Sequence, residues 1–483
     1  MGLLAILVAL GLLIFLAYRG WSILLLAPAA ALIAAGLSGQ PLLAHWTQTF
    51  MASAAQFIMQ FFPIFLLGAL FGKLMEDSGS VTAIAAFMTE RLGASRAILA
   101  VVLAGALVTY GGVSLFVAFF VIAPMAHALF RDAGIPKRLM PAAIALGTTT
   151  FTMSMLPGTP AIQNAIPMPF FGTTPFAAPG LGVIATAITL GFGLWWLALA
   201  EGRARKAGEG YEGDAAAAES AANSEIVRER ATTSGSFDPA EIHHGDQSAS
   251  PPPIGLAVLP LVIVVGVNLL MSLFVLPRVD ASYLAKAEWG STTLSAVGGV
   301  WAVVTALAAA IAVLIACNLQ RLPTLRATMD AGANAAALPV LSVASLVGFG
   351  SVVAALPAFA VVRDWVLGIQ GGPLVSLAVA TNVLASLTGS ASGGLTIALD
   401  ALGSAYMKIA AEQGINPELL HRVAVIGAGT LDSLPHNGAV VTLLAVCGCK
   451  HGESYFDIVM VAIVGALIAL AAVIGLGTAL GSF

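Results

Sequence analysis

About 20 consecutive apolar residues in a helix cross the ~30 Å hydrocarbon core of a bilayer. Eight stretches of this chain approach or exceed that length: 2–18, 21–37, 50–72, 181–200, 254–277, 291–316, 336–360 and 455–480. In lipid a backbone must pair its own N–H and C=O groups, which leaves helices as the form such runs take. Charge points the same way. Only 9% of the residues are charged, against roughly 25% in a soluble domain. Fifteen of the 44 charges lie between Glu201 and Asp246, so the other 437 residues share 29. A soluble surface cannot be built from so few. The expected fold class is an all-α polytopic membrane protein with one polar interruption.

The net charge of −4 and pI near 6 supply no basic patch for nucleic acid. The three cysteines are Cys317, Cys447 and Cys449. Cys447-x-Cys449 with His451 reads as half a metal site, but no second pair completes a tetrahedral set, so small packing residues are the better reading. No cofactor and no metal are expected. The run Gly2–Tyr18 has no positive residue before it and Arg19 after it. It is expected to be an uncleaved span with its start outside and Arg19 in the cytoplasm.

Between the apolar runs lie 97–130, 138–170, 374–410 and 421–448, apolar yet punctuated by Gly, Pro, Ser and Thr. Residues 202–253 open with Arg203, Arg205 and Lys206, continue Ala-rich and acidic to Pro251–Pro253, and show no apolar period. They read as a disordered cytoplasmic linker, with His243 and His244 plain solvated residues. The linker divides two halves that match at an offset of 280: Gly68 with Gly348, Gly134 with Gly414, Leu139 with Leu419, Gly147 with Gly427, Thr150 with Thr430. Gly111–Gly112 find a counterpart, two residues out of step, in Gly393–Gly394. The division expected is 1–49 as N-terminal scaffold helices and 50–200 as a first repeat with hairpin 97–130 and broken helix 138–170. Then follow the linker 201–253, second scaffold helices 254–335, and a second repeat 336–483 with hairpin 374–410 and broken helix 421–448.

If both hairpins are re-entrant, each half makes five crossings and the second half is inverted. Arg19, Lys73, Arg91, Arg96, Arg131, Lys137, Arg138 and Arg203 then all face the cytoplasm, as do Arg321, Arg326 and Lys450. Arg278, Lys286 and Arg363 fall outside, so the second half fits less well.

Irregular backbone at membrane depth is tolerated where it lines a cavity, and inverted repeats with broken helices put substrate and ions where the repeats meet. That singles out the tips with Thr109, Tyr110, Gly111, Gly112 and Ser114, and with Thr388, Ser390, Ser392, Gly393 and Gly394. It also singles out two breaks. The first carries Thr148, Thr149, Thr150, Thr152, Ser154, Thr159, Gln163 and Asn164; the second carries Thr430, Asp432, Ser433, His436 and Asn437. A carboxylate stripped of water needs several donors, and hydroxyls, free N–H groups and half-helix N-termini supply them. Taken singly, each Ser or Thr reads as well as helix-packing polarity; four clusters at matching positions favour a site. Asp432 and His436 lie one turn apart, and the equivalent of Asp432 in the first half is Thr152. An ionisable residue at depth points to function, and His titrates near neutrality. Asp432 is the proton candidate and His436 the runner-up. The bland alternative is a static Asp432–His436 pair capping the broken helix. Asp400 lies in the return arm of the second hairpin. Glu76 and Asp77, behind Lys73 at a helix end, read as interfacial.

"GKLMEDSGSVTAIA" (72–85), "TGSASGG" (388–394) and "GAGTLDSLPHNGAV" (427–440) resemble the gluconate permease family of proton symporters, within the ion transporter superfamily. The resemblance spans essentially the whole chain outside the linker. It implies an elevator-type carrier, usually a homodimer, in a bacterial-type inner membrane, whose mobile domain holds both hairpins and both broken helices. The Ser-Ala-Ser-Gly-Gly tip and the Leu-Asp-Ser-Leu-Pro-His-Asn-Gly break depart from the sugar-acid members and are closer to the 3-hydroxybutyrate branch. A short hydroxy-monocarboxylate is therefore the first choice of substrate, with gluconate or another sugar acid as alternative. The expected substrate contacts are Thr109, Tyr110, Gly111, Gly112, Thr150, Thr152, Ser390, Ser392, Gly393, Gly394, His436 and Asn437. Sodium coupling is the second mechanistic option. An intramembrane hydrolase using Ser433 and His436 would need the base within reach of the nucleophile, but it gives no reason for a matched polar break in the first half. A channel wants a continuous polar path or rings of charge. ATP drive lacks its Gly-x-x-x-x-Gly-Lys-Ser/Thr loop.

Overall fold

The structure is a computed structural model and describes residues 2–19, 21–211, 248, 250–435 and 437–483. Among these residues it is helical with no strand. Seven helices are long and apolar enough to cross a membrane: Leu42–Asp77, Leu115–Asp132, Pro179–Lys206, Ile254–Arg278, Leu294–Arg321, Leu325–Ala355 and His451–Leu480. An eighth is counted if Ser80–Leu92 and Ala94–Tyr110, bent by 99° where they meet, form one span. Six of the expected runs fall in these helices. The other two form Gly2–Tyr18 and Ile23–Leu37, of 17 and 15 residues, and at 1.5 Å per residue the second is only about 22 Å long. Leu115–Asp132, read as one arm of a hairpin, is itself of spanning length.

The same series of elements occurs twice. A long helix (Met51–Asp77; Leu325–Ala335 with Ala337–Ala355) is followed by a shorter one (Ser80–Leu92; Phe359–Leu367). A pair of helices joined at a tip follows (Ala97–Tyr110 with Leu115–Asp132; Pro373–Thr388 with Ala391–Gln413). Next is a helix that stops short (Met140–Thr148; Pro417–Thr430), and last a long one (Pro179–Lys206; His451–Ile458 continuing through Gly465–Leu480). Equivalent elements of the halves pack on each other: the two long first helices are in contact, and so are the two last ones.

Two glycines 280 residues apart perform one job. A Cβ on Gly147 would overlap the Val102 carbonyl oxygen, and one on Gly427 would overlap Thr381 Oγ1. Each lets the stopping helix lie directly against the outer arm of its own hairpin. The tips themselves turn at Gly112 (φ 101°) and Gly389 (φ 62°), left-handed conformations that suit glycine. Gly393 and Gly394 do not turn the chain; they sit in the first turn of Ala391–Gln413. A Cβ on Gly394 would strike the Ala385 backbone of the opposite arm, so its role is close helix packing.

The polar stretch is shorter than its composition suggests. The helix Pro179–Lys206 runs through Glu201–Lys206. Glu209 then pairs with Arg138 (2.7 Å), whose Nη1 also reaches Asp457 Oδ2 (2.9 Å), while Tyr211 OH meets His127 Nδ1 (2.7 Å). At the far end Ser248 N donates to the Asp77 carbonyl (2.8 Å). Polar residues that looked like solvated linker are thus anchored to helix ends. Residues 212–247 and 249, with His243 and His244, lie outside the described residues.

Asp77, the last residue of Met51–Asp77, is paired within the protein. It is 1% exposed, with Lys73 Nζ 2.9 Å from Oδ1 and Thr328 Oγ1 donating to Oδ2 at 2.6 Å. The i, i+4 spacing brings the pair together, and the packed helix Leu325–Ala335 removes it from solvent.

Candidate functional site

Each tip is fastened to the break of its own half. In the first half Thr109 Oγ1 donates to the Gly105 carbonyl (2.8 Å) and lies 3.1 Å from Thr152 Oγ1, while Tyr110 OH donates to the Pro157 carbonyl (2.8 Å). Thr152 in turn bonds back to the Thr148 carbonyl (3.2 Å), one of the groups that Met140–Thr148 leaves unpaired where it stops. In the second half Asp432 Oδ1 accepts from Ala391 N (2.9 Å) and from Asn437 Nδ2 (2.7 Å). Asn437 Nδ2 also donates to the Gly389 carbonyl (2.8 Å), and its Oδ1 caps Gly438–Val446 by accepting from Ala439 N (2.7 Å). Positions 152 and 432 therefore both tie tip to break. The first half does so with a neutral hydroxyl and the second with a carboxylate.

Ser390 is the N-cap of Ala391–Gln413: its Oγ accepts from Gly393 N (3.2 Å) and lies 3.2 Å from Ser392 Oγ. The carboxylate of Asp432 sits at the same helix N-terminus, where the partial positive charge of unpaired N–H groups favours an anion. The helix here is 23 residues long.

The tips and the second break enclose one side of a cavity of about 230 Å³. Its polar wall includes Thr109, Ser114, Gln163, Ser342, Thr388, Ser390, Ser392, Asp432 and Asn437. The opposite wall is apolar apart from Ser342 and comes from Ile64, Phe65, Gly68 and Ala69 of one long helix and Pro339, Val343 and Leu346 of the other. Pockets for drug-sized ligands run roughly 300–1,000 Å³, so this one suits a smaller molecule. Among the described lining residues there is one acid, Asp432, and no Lys, Arg or His. A second cavity, lined by Ser53, Gln56, Gln60, Thr396 and Asp400, lies further along the same helix Ala391–Gln413.

Of the residues singled out from sequence, Thr109, Gly112, Ser390, Ser392, Asp432 and Asn437 line the cavity together. Tyr110, Thr150, Thr152, Gly393 and Gly394 do not; they stand behind it, Thr150 Oγ1 returning to the Leu146 carbonyl (2.7 Å). Gly111 faces Leu261 of the helix Ile254–Leu270. His436 lies outside the described residues. Sequence reasoning passed over Arg422 and His421. Both are fully buried: Arg422 donates to the Ala177 carbonyl (2.6 and 3.1 Å) and the Ser154 carbonyl (3.3 Å), and His421 meets Thr173 Oγ1 (2.6 Å) and Asn164 Oδ1 (3.2 Å). They bind the second-half stopping helix to the segment after the first-half break.

Seven or eight candidate spans and a small polar cavity between interrupted helices describe a multi-pass membrane protein with the architecture a transporter requires. Comparison with known proteins narrows this. Residues 1–170 match the model of the GntP family permeases. The chain is 41% identical over 472 residues, 96% of either chain, to the uncharacterized transporter YxjC of Bacillus subtilis strain 168. The protein belongs to the GntP permease family.

Proposed function

We propose that the protein is a secondary active transporter that carries a short hydroxy-monocarboxylate, of the 3-hydroxybutyrate type, together with a proton. The observation that carries this reading is the charge of the cavity: one carboxylate, Asp432, and no cation among the described lining residues. A second anion cannot enter such a space beside an ionised Asp432, because two like charges at close range in a low dielectric repel strongly. A proton on Asp432 removes the conflict, so proton and substrate bind as a pair and cross as a pair. Ser390, Ser392 and Thr109 offer hydroxyl contacts, Asn437 shapes the site by holding Asp432 and the Gly389 carbonyl, and the size of the cavity favours a small acid over a large one.

Movement follows from the same architecture. The tips and breaks are tied to one another, whereas the wall formed by Met51–Asp77 and Ala337–Ala355 is apolar apart from Ser342 where it meets them. A body containing both hairpins and both breaks can slide along that wall as an elevator, in a homodimer with a fixed scaffold. The halves are then inverted repeats in an inner membrane, with the start of the chain outside and residues 201–253 in the cytoplasm. Sodium beside Asp432 would remove the same charge conflict, and gluconate is the competing substrate.

Uptake of labelled 3-hydroxybutyrate into proteoliposomes under an inward proton gradient, without sodium, tests the reading. Accumulation that a protonophore abolishes supports it. Uptake only when sodium is added replaces the proton, and transport of gluconate alone replaces the substrate.

A further inference from the structure

The described cavity lining holds an acid and no cation, yet a full positive charge stands just behind it. Arg422, on the stopping helix Pro417–Thr430, is fully buried. Its acceptors are neutral oxygens: the Ala177 carbonyl (2.6 and 3.1 Å), the Ser154 carbonyl (3.3 Å) and Asn164 Oδ1 (3.5 Å). A guanidinium keeps its proton inside a protein, and burying it without a carboxylate in contact is costly. Glu418, one turn earlier, is half-buried and turns Oε2 to Ala178 N (3.3 Å) and Ser482 Oγ (3.2 Å). Two of the groups that hold the guanidinium are chain neighbours of cavity residues. Ser154 follows Met153 and Asn164 follows Gln163, and both Met153 and Gln163 line the cavity. One layer of protein therefore separates the charge from the space where a substrate would lie.

We infer that Arg422 sets the preference of the cavity for anions, acting through the wall and without touching the substrate. This rests on the carrier reading given above and names the residue that selects charge. Coulombic attraction falls only as the inverse of distance, and buried charges are screened little by salt. A guanidinium that no substrate reaches therefore still favours a carboxylate over a neutral group in the cavity. The same charge explains why proton and substrate move as a pair. With the cavity empty and Asp432 ionised, Asp432 and Arg422 offset each other. A proton on Asp432 leaves Arg422 unmatched, and the substrate carboxylate then offsets it. Proton alone or substrate alone leaves a net buried charge, which a low dielectric penalises.

The test compares inhibition of labelled 3-hydroxybutyrate uptake in proteoliposomes by unlabelled 3-hydroxybutyrate and by its uncharged amide, 3-hydroxybutyramide. In Arg422→Gln the preference for the acid should fall about tenfold, the order expected of a unit charge acting through one layer of protein, while inhibition by the amide holds. Arg422→Lys keeps the charge and loses the fork of hydrogen bonds, so it should keep the preference. A purely structural clasp would weaken acid and amide together in both variants. Glu418→Gln keeps an acceptor for Ala178 N and Ser482 Oγ but removes a negative charge one turn from Arg422. It should raise the preference by roughly two- to threefold, and it carries the test if Arg422→Gln does not reach the membrane. An unchanged preference in Arg422→Gln, or in Glu418→Gln where that variant stands in, overturns this inference and leaves the carrier reading standing. Absence of hydroxy-acid uptake by the wild type overturns both.

Discussion

At the scale of single residues, positions 152 and 432 carry most of the argument. They are equivalent in the two halves, and both tie a hairpin tip to a helix break, yet only Asp432 brings a charge to the cavity. Asp432→Asn keeps an oxygen to accept from Ala391 N while removing the charge. It is expected to leave the melting temperature within a few degrees of wild type and to abolish proton-driven accumulation, read as the ratio of internal to external labelled substrate. Thr152→Val is expected to do the reverse. It loses the hydroxyl's contacts with Thr109 and with the Thr148 carbonyl, about 1 kcal/mol for each hydrogen bond, and lowers thermal stability in detergent while uptake persists at reduced affinity. Asp432, Asn437 and Ser390 were legible in the sequence because a Gly- and Ser-punctuated apolar run has to be a break or a tip. Arg422 and His421 were not. They follow a Pro-Glu start, which looks like an interfacial helix end, and their partners lie some 250 residues away, a proximity that no local pattern encodes.

At the scale of elements, the fit between helices depends on absent side chains. Gly147 and Gly427 let each stopping helix meet its hairpin, and Gly394 lets the arms of the second hairpin meet each other. Overpacking such contacts costs about 1–3 kcal/mol, so Gly147→Ala, Gly427→Ala and Gly394→Ala should each lower the unfolding temperature. Gly266→Ala, with nothing within 4 Å of its Cβ, should not. The recurring glycines were visible as a 280-residue offset, but their purpose was not, because a spacing does not say which neighbour approaches. The matching of Gly111–Gly112 to Gly393–Gly394 illustrates this: the turning glycine of the second tip is Gly389. The polar stretch after Lys206 gives a further test. The Arg138 guanidinium hydrogen-bonds Glu209 and holds its carboxyl below the ordinary value of 4.5. A depressed folded pKa contributes stability above the unfolded pKa and loses it as pH falls through the folded one. Stability should therefore decline below about pH 4.5 in the wild type, and Arg138→Ala should blunt that decline in melts recorded from pH 3 to 7. The effect will be small, since the pair is a third exposed.

At the scale of the whole molecule, hydropathy alone announced an all-helical membrane protein, and six of eight expected runs lie in spanning helices. The first N-terminal run coincides with the helix Gly2–Tyr18, and the second begins two residues late, at Ile23, because Ser22 takes the extended N-cap conformation. The proposed orientation follows from the positive residues near Arg19, Arg131 and Arg203. In a background without native cysteines, Ala207→Cys should react with an impermeant thiol reagent only from the cytoplasmic side, and Ser282→Cys only from outside. Both side chains are exposed. Labelling of both from one face would remove the inverted arrangement and, with it, the elevator.

Substrate and proton are proposed to travel together because, among the described lining residues, the cavity holds Asp432 and no cation. The most direct measurement is the internal pH of proteoliposomes loaded with a pH-sensitive dye when 3-hydroxybutyrate is added outside. Wild-type vesicles should acidify faster than protein-free ones, and Asp432→Asn vesicles should match the protein-free rate. Equal acidification by Asp432→Asn and wild type, or wild type no faster than bare lipid, would contradict the account.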